Sequence, residues 1–435
     1  MDARRRPGKT GPLWPGDDGS LGIYVHVPYC ASLCGYCDFH RTVSPGGVPA
    51  GYEDRVLLEA RLHHRDSVRE VDTIYFGGGT PSLLPVRRLA ALLDGLRRLF
   101  RVADGAETTL EANPETVTSA SIDGWQQAGV NRLSLGVQSF QPGVLELLQR
   151  RATAGQALEA VVAAARAGFE RLSVDLMAGV PGQSLKGLEE DLRRASDLPV
   201  DHISVYALDL HPGTPLAQRA ERGEVLLPGD DLCARMLDRT HEVLTREGWG
   251  HYEISNFARR GGECRHNLKY WRGGEYVGLG PSSWSRIRGR LLGNPRDDVA
   301  WTKALEAGLP PWETEIVLTP ERLLEDRLIF GLRLAEGVPL AEVQGLFAGT
   351  EYRLAHLLGR LSDQGLAELH GDRLRLTPKG FLVSTTVIAE LLSVRPGEAA
   401  QGGGEGFPGV PSGKPGAVSS VRGNGPVRAP KGSRS

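Results

Sequence analysis

The sequence predicts an α/β fold: a parallel sheet with helices outside it, followed by a small α+β unit. Three observations carry this. Between residues 21 and 209, short runs rich in β-branched residues alternate six times with amphipathic segments. No return strand follows any run, so each strand is joined to the next by a crossover helix and the sheet is parallel. From residue 319 the rhythm changes to helix, helix, short hairpin, helix. The alternation alone suits a doubly wound sheet as well as a barrel.

The first strand is GIYVHV, and it runs into a loop holding Cys30, Cys34 and Cys37. YEDRVLLEARLHHR then spaces its apolar residues as a helix with one buried face does. VDTIYF is a second strand, stopped by Gly77, Gly78, Gly79, Thr80 and Pro81, and a strongly amphipathic helix begins after Ser82. The third strand, ETTLEAN, ends near Glu111 and Asn113, with a helix over 118–128 behind it. NRLSLGVQSF is the fourth strand and runs into Gln138; helices follow over 143–148 and 155–167, with Arg150 between them. RLSVDLMAG is the fifth strand, with Asp175 near its end; a helix over 184–195 and the strand HISVYAL complete the series.

At 435 residues the chain exceeds one typical domain and is long enough to bury a large core. A net charge of −2 favours neither nucleic acid nor an acidic membrane as the main partner. Five cysteines, three of them clustered, fit a reducing cytoplasm better than a disulfide framework. Cys233 sits in the helical run DLCARMLDRTHEVL and reads as an ordinary buried thiol. No stretch approaches the eighteen or so apolar residues of a transmembrane helix, and the basic first residues lack the apolar run of a secretory signal. Residues 1–20 read as a disordered lead. The Gly, Pro and Ser-rich stretch over 395–435 reads as a tail that buries too little apolar surface to order itself.

Three thiolates spaced C-x3-C-x2-C force their backbone into a loop around one small centre. A structural zinc site takes four ligands, usually in paired C-x2-C groups, and His26 or His40 would have to complete it. A cubane iron–sulfur cluster normally takes four cysteines; three leave one iron open for a substrate or cofactor. The spacing is poor for a zinc knuckle and favours the cluster. Gly77–Gly79 follow a strand and precede a helix, where glycines let a ligand approach the backbone and the helix start favours anionic or hydrogen-bonding groups. The Lys-Ser/Thr ending of a nucleotide-binding P-loop is missing.

C-x3-C-x2-C on the loop after a first strand resembles the radical S-adenosylmethionine superfamily, and YVHVPYC…C…YCDF resembles one branch of it. That branch comprises the oxygen-independent coproporphyrinogen III oxidases and their HemW-type haem-chaperone relatives. The resemblance covers residues 21–392. It implies a partial (β/α)6 barrel over 21–250, a barrel-closing and haem-contact region over 251–318, and a winged-helix-like α+β domain over 319–394. It further implies a [4Fe–4S] cluster on Cys30, Cys34 and Cys37, with S-adenosylmethionine on the open iron. In the superfamily an electron from the cluster cleaves the sulfonium to a 5′-deoxyadenosyl radical, so the cofactors carry the hard chemistry. Gly78, Gly79 and Thr80 match the motif for the methionine amino group. Glu111 in TLEANP, Gln138 in LSLGVQSF, Arg150 in LLQRRA and Asp175 in SVDLMAGVPGQ match positions for the rest of the cofactor. Arginine suits the carboxylate, which it grips bidentately. Tyr24 and Tyr36 match positions near the adenine. After Arg150 the family commonly carries a histidine two residues on, where this chain has Ala152.

Two features separate the branches. The oxidases resemble C-x3-C-x2-C-x-C, whereas this chain has Phe39 at the last place, as in the chaperone branch. HNLKYW at 266–271 resembles the H-N-x-x-Y-W signature that the chaperone branch associates with haem. The resemblance makes His266, ahead of Cys264, an axial ligand to haem iron. It sets Arg265 and Lys269 on the propionates and Tyr270 and Trp271 on the macrocycle. GEYVGLGPSSWS then resembles the glycine-rich strand that closes the barrel. The implied function is a haem chaperone that binds cluster, S-adenosylmethionine and haem and delivers haem to client proteins such as respiratory-chain enzymes. An electron donor would reduce the cluster. Coproporphyrinogen oxidase activity is not expected; that decarboxylation, in porphyrin biosynthesis, is the alternative. A redox-sensing winged-helix regulator is a third reading, weakened because residues 319–392 carry no dense basic stripe for DNA. A homodimer and a peripheral membrane contact stay open.

Overall fold

The computed structural model describes residues 19–63 and 68–396. The expectations of a disordered lead and tail fall almost wholly outside the described residues. Six strand–helix units come first. They comprise β1 (Leu21–Val27), α1 (Tyr52–Leu62), β2 (Glu70–Gly78), α2 (Val86–Leu99), β3 (Arg101–Ala112) and α3 (Ser119–Ala128). β4 (Arg132–Gln138), α4 (Ala154–Arg166), β5 (Arg171–Ala178), α5 (Leu185–Ser196), β6 (His202–Ala207) and α6 (Asp230–Arg246) follow. Helix starts follow local chemistry: Thr118 with Ser121, and Thr153 with Gln156, form reciprocal capping boxes ahead of α3 and α4.

The closing region adds β7 (Gly250–Glu253), β8 (Asn256–Ala258), α7 (Arg265–Trp271), β9 (Glu275–Leu279), β10 (Trp284–Ile287), β11 (Arg290–Gly293), α8 (Asp298–Glu306) and β12 (Thr314–Val317). One sheet takes these strands in the order β12-β11-β10-β9-β1-β2-β3-β4-β5-β6-β8-β7. The run from β9 through β6 is parallel, and both ends finish in antiparallel strands. Strand number rises steadily from β1 to β6, without the reversal that defines a doubly wound sheet. The edge strands β12 and β7 do not pair with each other, so the barrel is partial. The glycine-rich strand expected to close the barrel is β9, parallel to β1.

Period-2 alternation explains the barrel's two faces. Ile23, Val25 and Val27 of β1, Ile74 and Phe76 of β2, Leu133 and Leu135 of β4, and Val174 and Leu176 of β5 enter the apolar core shared with the helices. The intervening residues point into the lumen and are polar or aromatic: Tyr24, His26, Thr73, Tyr75, Glu107, Ser134, Ser173, Asp175, His202 and Ser204 are all enclosed there. Strand register aligns Glu111 with Ser134, Ser134 with Ser173 and Ser173 with His202, so these form one layer across four strands.

The C-terminal unit contains α9 (Pro320–Gly331), α10 (Glu351–Asp363), the hairpin β13 (Ala367–His370) and β14 (Arg373–Leu376), and α11 (Ser384–Ser393). Val338–Pro339 adds a short third strand beside β14. This α+β domain packs its own core, including Leu328, Leu332, Phe347, Leu361, Leu374 and Ile388. A buried ion pair, Arg286 Nη1 to Asp326 Oδ2 at 2.6 Å, ties it to β10.

Candidate active site at the C-terminal ends of the strands

Beyond β1 the chain forms a loop clamped at its base by Tyr29–Cys30 pairing with Thr42–Val43. The glycine stretch straps this loop to β2: Gly79 N donates to Val27 O and Thr80 N to Tyr29 O. The loop's middle is pinned from two sides, by Gly35 N to Leu148 O at 3.1 Å and by Leu216 N to Gly35 O at 2.8 Å. Cys30 is buried, Cys34 and Cys37 are half-buried, and all three are free thiols. Burial pushes the Cys37 thiol up to about 12, with the Arg41 charge acting against it. Metal binding here must therefore displace protons.

The cysteines open onto a cavity of about 300 Å³ at the C-terminal ends of the strands. Tyr36, Gly78, Gly79, Thr80, Glu111, Gln138, Arg150 and Asp175 line it with them, so these residues, scattered over 146 positions from Cys30 to Asp175, converge on one space. Glu111 accepts from Tyr75 Oη at 2.8 Å, and Asp175 accepts from Ser134 Oγ at 3.3 Å. Gln138 and Gln149, both in the lining, have φ of 70° and 56°, a backbone region that costs a non-glycine residue on the order of 1–3 kcal/mol and is concentrated at functional sites. Gly79 has a steric reason to be glycine. A Cβ there would stand 2.8 Å from Tyr29 O and 3.0 Å from Cys30 Sγ.

Two guanidiniums face this cavity with donors left over. Arg150 gives Nη2 to Asn113 Oδ1 (2.9 Å) and Gly136 O (2.6 Å), and Nη1 to Cys34 Sγ (3.4 Å); its Nε is buried with no acceptor. Arg41 gives Nη1 to Phe39 O at 2.7 Å, and its Nε is likewise buried without an acceptor. Two guanidiniums beside three thiols make this wall of the cavity electropositive. Arg41 and Asn113 were not singled out as site residues from the sequence. Asn113 was within reach of such reasoning, since it lies two places after Glu111, just past the end of β3, in extended backbone that keeps it on the same side.

Tyr24 and His266 do not line the cavity. Tyr24 is buried in the lumen, its hydroxyl paired with His26 Nδ1 at 3.0 Å and its ring against Tyr75. His26 is fully engaged, with Nε2 bonded to His40 O at 3.2 Å, so neither of its ring nitrogens is available to a zinc ion beside the cysteines. His266 lies in the opposite half of the barrel. It is 1 % exposed, with Nδ1 paired to Thr73 Oγ1 and Nε2 to Tyr270 Oη, both at 2.8 Å. Burial lowers it to about 3. The rest of α7 is equally committed: Cys264 Sγ meets Glu107, Lys269 Nζ pairs with Asp72 at 3.0 Å, and Arg265 Nη1 donates to Gly105 O. Trp271 is covered by Phe330 and Arg333. Thus α7 plugs the barrel floor, and a small void of about 10 Å³ lies above it, walled by Tyr75, Arg132, His202, Tyr206 and Cys264.

Residues 24–195 match the family model of the Radical SAM superfamily, and residues 318–383 match the HemN C-terminal domain. A relative from Mycobacterium tuberculosis, "Heme chaperone HemW", is 38% identical over 397 residues, which is 90% of this chain and 100% of the relative. The chain belongs to the HemW/HemN family of the radical SAM superfamily. A Bos taurus member, "Radical S-adenosyl methionine domain-containing protein 1, mitochondrial", is 33% identical over 90% of this chain and 92% of its own. The solved structure of Escherichia coli coproporphyrinogen III oxidase (HemN) superposes with a TM-score of 0.75 at 24% identity, over 87% of this chain and 91% of that one, and so shares the fold. Radical SAM proteins typically use a [4Fe–4S] cluster and S-adenosylmethionine, and membership of this family is consistent with haem-related chemistry. No helix among the described residues is long and apolar enough to cross a membrane.

Proposed function

We propose that this chain is a haem chaperone that carries a [4Fe–4S] cluster on Cys30, Cys34 and Cys37, binds S-adenosylmethionine beside it, and delivers haem to client proteins in the cytoplasm. The observation that best supports the cofactor reading is the convergence of three thiols, the glycine stretch, Glu111, Gln138, Arg150 and Asp175 on one cavity. Arg150 offers an amino acid carboxylate a guanidinium partner in that cavity. The glycines fit too: a Cβ at Gly78 would meet the His26 ring and one at Gly79 the Tyr29 backbone and Cys30 Sγ, so both let the cysteine loop pack close against β2 while lining the cavity.

Each residue then has a task. The three cysteines hold three corners of the cluster. Arg150, with Nη2 clamped by Asn113 and Gly136, presents its remaining donors to the carboxylate. Glu111, Gln138 and Asp175 accept or donate to ribose and amino groups, and Tyr36 covers the adenine side. Once bound, the cluster and sulfonium together supply one-electron chemistry, with reducing equivalents from a separate electron donor.

Coproporphyrinogen decarboxylation is poorly supported. Phe39 stands where the oxidases resemble a further cysteine. Haem ligation by His266 requires α7 to leave the lumen and surrender the bonds to Thr73 and Tyr270. The test is a set of anaerobic measurements on reconstituted protein. Added S-adenosylmethionine should perturb the cluster's electron paramagnetic resonance spectrum. Haem should give a saturable Soret change that weakens in His266→Ala. Coproporphyrinogen III should not be consumed. Accumulation of protoporphyrinogen IX would replace this reading with the oxidase, and a Soret change identical in His266→Ala would remove His266 as the ligand.

A further inference from the structure

One side chain connects the partners of two cluster cysteines. Asn113 Nδ2 donates to Thr80 Oγ1 at 3.3 Å, and Thr80 Oγ1 donates in turn to Cys30 Sγ at 3.5 Å. On its other side Asn113 Oδ1 accepts from Arg150 Nη2 at 2.9 Å, and Arg150 Nη1 reaches Cys34 Sγ at 3.4 Å. The chain Cys30–Thr80–Asn113–Arg150–Cys34 is continuous along the cavity wall. Its direction is settled by chemistry: a guanidinium has no acceptor, so the Asn113 atom facing Arg150 must be the oxygen and the atom facing Thr80 the nitrogen.

The backbone of Asn113 is held as firmly as its side chain. Pro114 restricts it to the extended region, where φ is −87° and ψ 142°. Its carbonyl accepts from Thr116 N at 2.9 Å and Thr116 Oγ1 at 2.7 Å. Its N–H donates to Ser82 Oγ at 3.4 Å. A residue so tethered transmits position. If the carboxamide is lost, Arg150 keeps only Gly136 O to orient Nη2, and Thr80 loses the donor that turns its own hydrogen toward sulfur.

We propose that Asn113 is a positioning residue which, through Thr80 and Arg150, sets the hydrogen bonds received by the sulfurs of Cys30 and Cys34 and thereby tunes the cluster's reduction potential. This rests on the reading that the three cysteines carry a four-iron cluster. Hydrogen bonds to the ligating sulfurs offset the charge added on reduction, so more of them raise the potential. Asn113→Leu preserves shape and removes both arms. Asn113→Asp keeps an oxygen for Arg150 and removes the donor to Thr80. Thr80→Val removes only the hydroxyl on Cys30.

The experiment is a redox titration of the reconstituted full chain, followed by electron paramagnetic resonance, on samples matched for iron and sulfide. Asn113→Leu is expected to favour the oxidised cluster about tenfold, a fall of about 59 mV for one electron. Thr80→Val should fall by less, while Asn113→Asp loses the donor to Thr80 and adds a carboxylate beside the cluster, so its potential should fall as well. Thermal melting of each variant guards against a folding defect, and a lowered potential in a variant that melts normally upholds the proposal. Wild-type potentials in both Asn113→Asp and Thr80→Val, at full cluster loading, overturn it even if Asn113→Leu cannot be purified. Wild-type protein that takes up zinc and never shows a four-iron signal refutes the cluster reading itself, and the proposal with it.

Discussion

Gly79 shows how little freedom a single position has at this site. Its missing side chain leaves room for the backbone of Tyr29 and for Cys30 Sγ, which would otherwise stand 2.8 Å and 3.0 Å from a Cβ. Neither neighbour can yield cheaply, since one is main chain and the other the buried Cys30 thiol, held by Thr80. Gly79→Ala should therefore shift the cysteine loop. The expected result is a stability loss of about 1–3 kcal/mol, the range for overpacking, with sub-stoichiometric iron after reconstitution; denaturant unfolding and iron analysis check it. Normal iron content would mean that the loop can move without cost. The same scale separates the cysteines from their surroundings. Their spacing is visible in one glance at the chain, whereas the donors that converge on them, Arg41, Thr80 and Arg150, are brought there by three different segments.

The element that most constrains function is α7. Its His266 and Tyr270 face inward because the lumen is itself polar, so they find partners there that a hydrocarbon core would deny them. Thr73 bonds His266 Nδ1 in a site closed to water. Thr73→Val should strand that nitrogen and destabilise the packed plug by about 1–3 kcal/mol. If haem binds His266 only after α7 has turned out, weakening the packed state raises the competent fraction, and apparent haem affinity should rise in Thr73→Val. A Soret titration decides this, and an unchanged or weaker affinity would show that haem does not draw α7 from the floor. The sequence motif identified these six residues as a unit. It could not indicate that the unit is folded inward, because the partners Thr73, Asp72 and Glu107 lie more than 150 positions upstream.

For the whole molecule, stability depends on charges that folding removes from water. Arg286 and Asp326 form the buried pair between the barrel sheet and the C-terminal domain, and Asp326 also accepts from Arg322 at 3.0 Å. Asp326→Ala leaves Arg286 buried and uncompensated, and should cost about 3–5 kcal/mol in denaturant unfolding. Titration shapes the pH profile. Burial lowers His26 to about 4 and His251 and His266 to about 3, below the usual 6.5, so the folded state binds fewer protons than the unfolded chain. Their contribution is complete above pH 6.5 and is lost as pH falls toward 3. Glu59 and Glu253 behave oppositely: burial raises them to about 7 and 8 from 4.5, so stability is lost as pH climbs through that interval. Melting should peak near pH 6 to 6.5. His251→Phe, whose ring fits against Phe257 and Phe381, should flatten the acid limb, and Glu253→Gln the alkaline one. A variant profile parallel to wild type would remove that residue from the account.

By itself the sequence determined that strands and helices alternate, that their ends carry glycines and polar residues, and that three cysteines share one loop. These are local properties, readable because side-chain direction repeats every two residues in a strand and every 3.6 in a helix. Only the tertiary structure decided that strand order rises without reversal, that β9 lies beside β1, and that the strand-end residues meet around one cavity. It also decided that Tyr24 and His266 lie outside that cavity's lining and that Asn113 links the partners of two of its cysteines. Periodicity says which face of an element a residue occupies. Which distant segment covers that face depends on the packing of the whole chain.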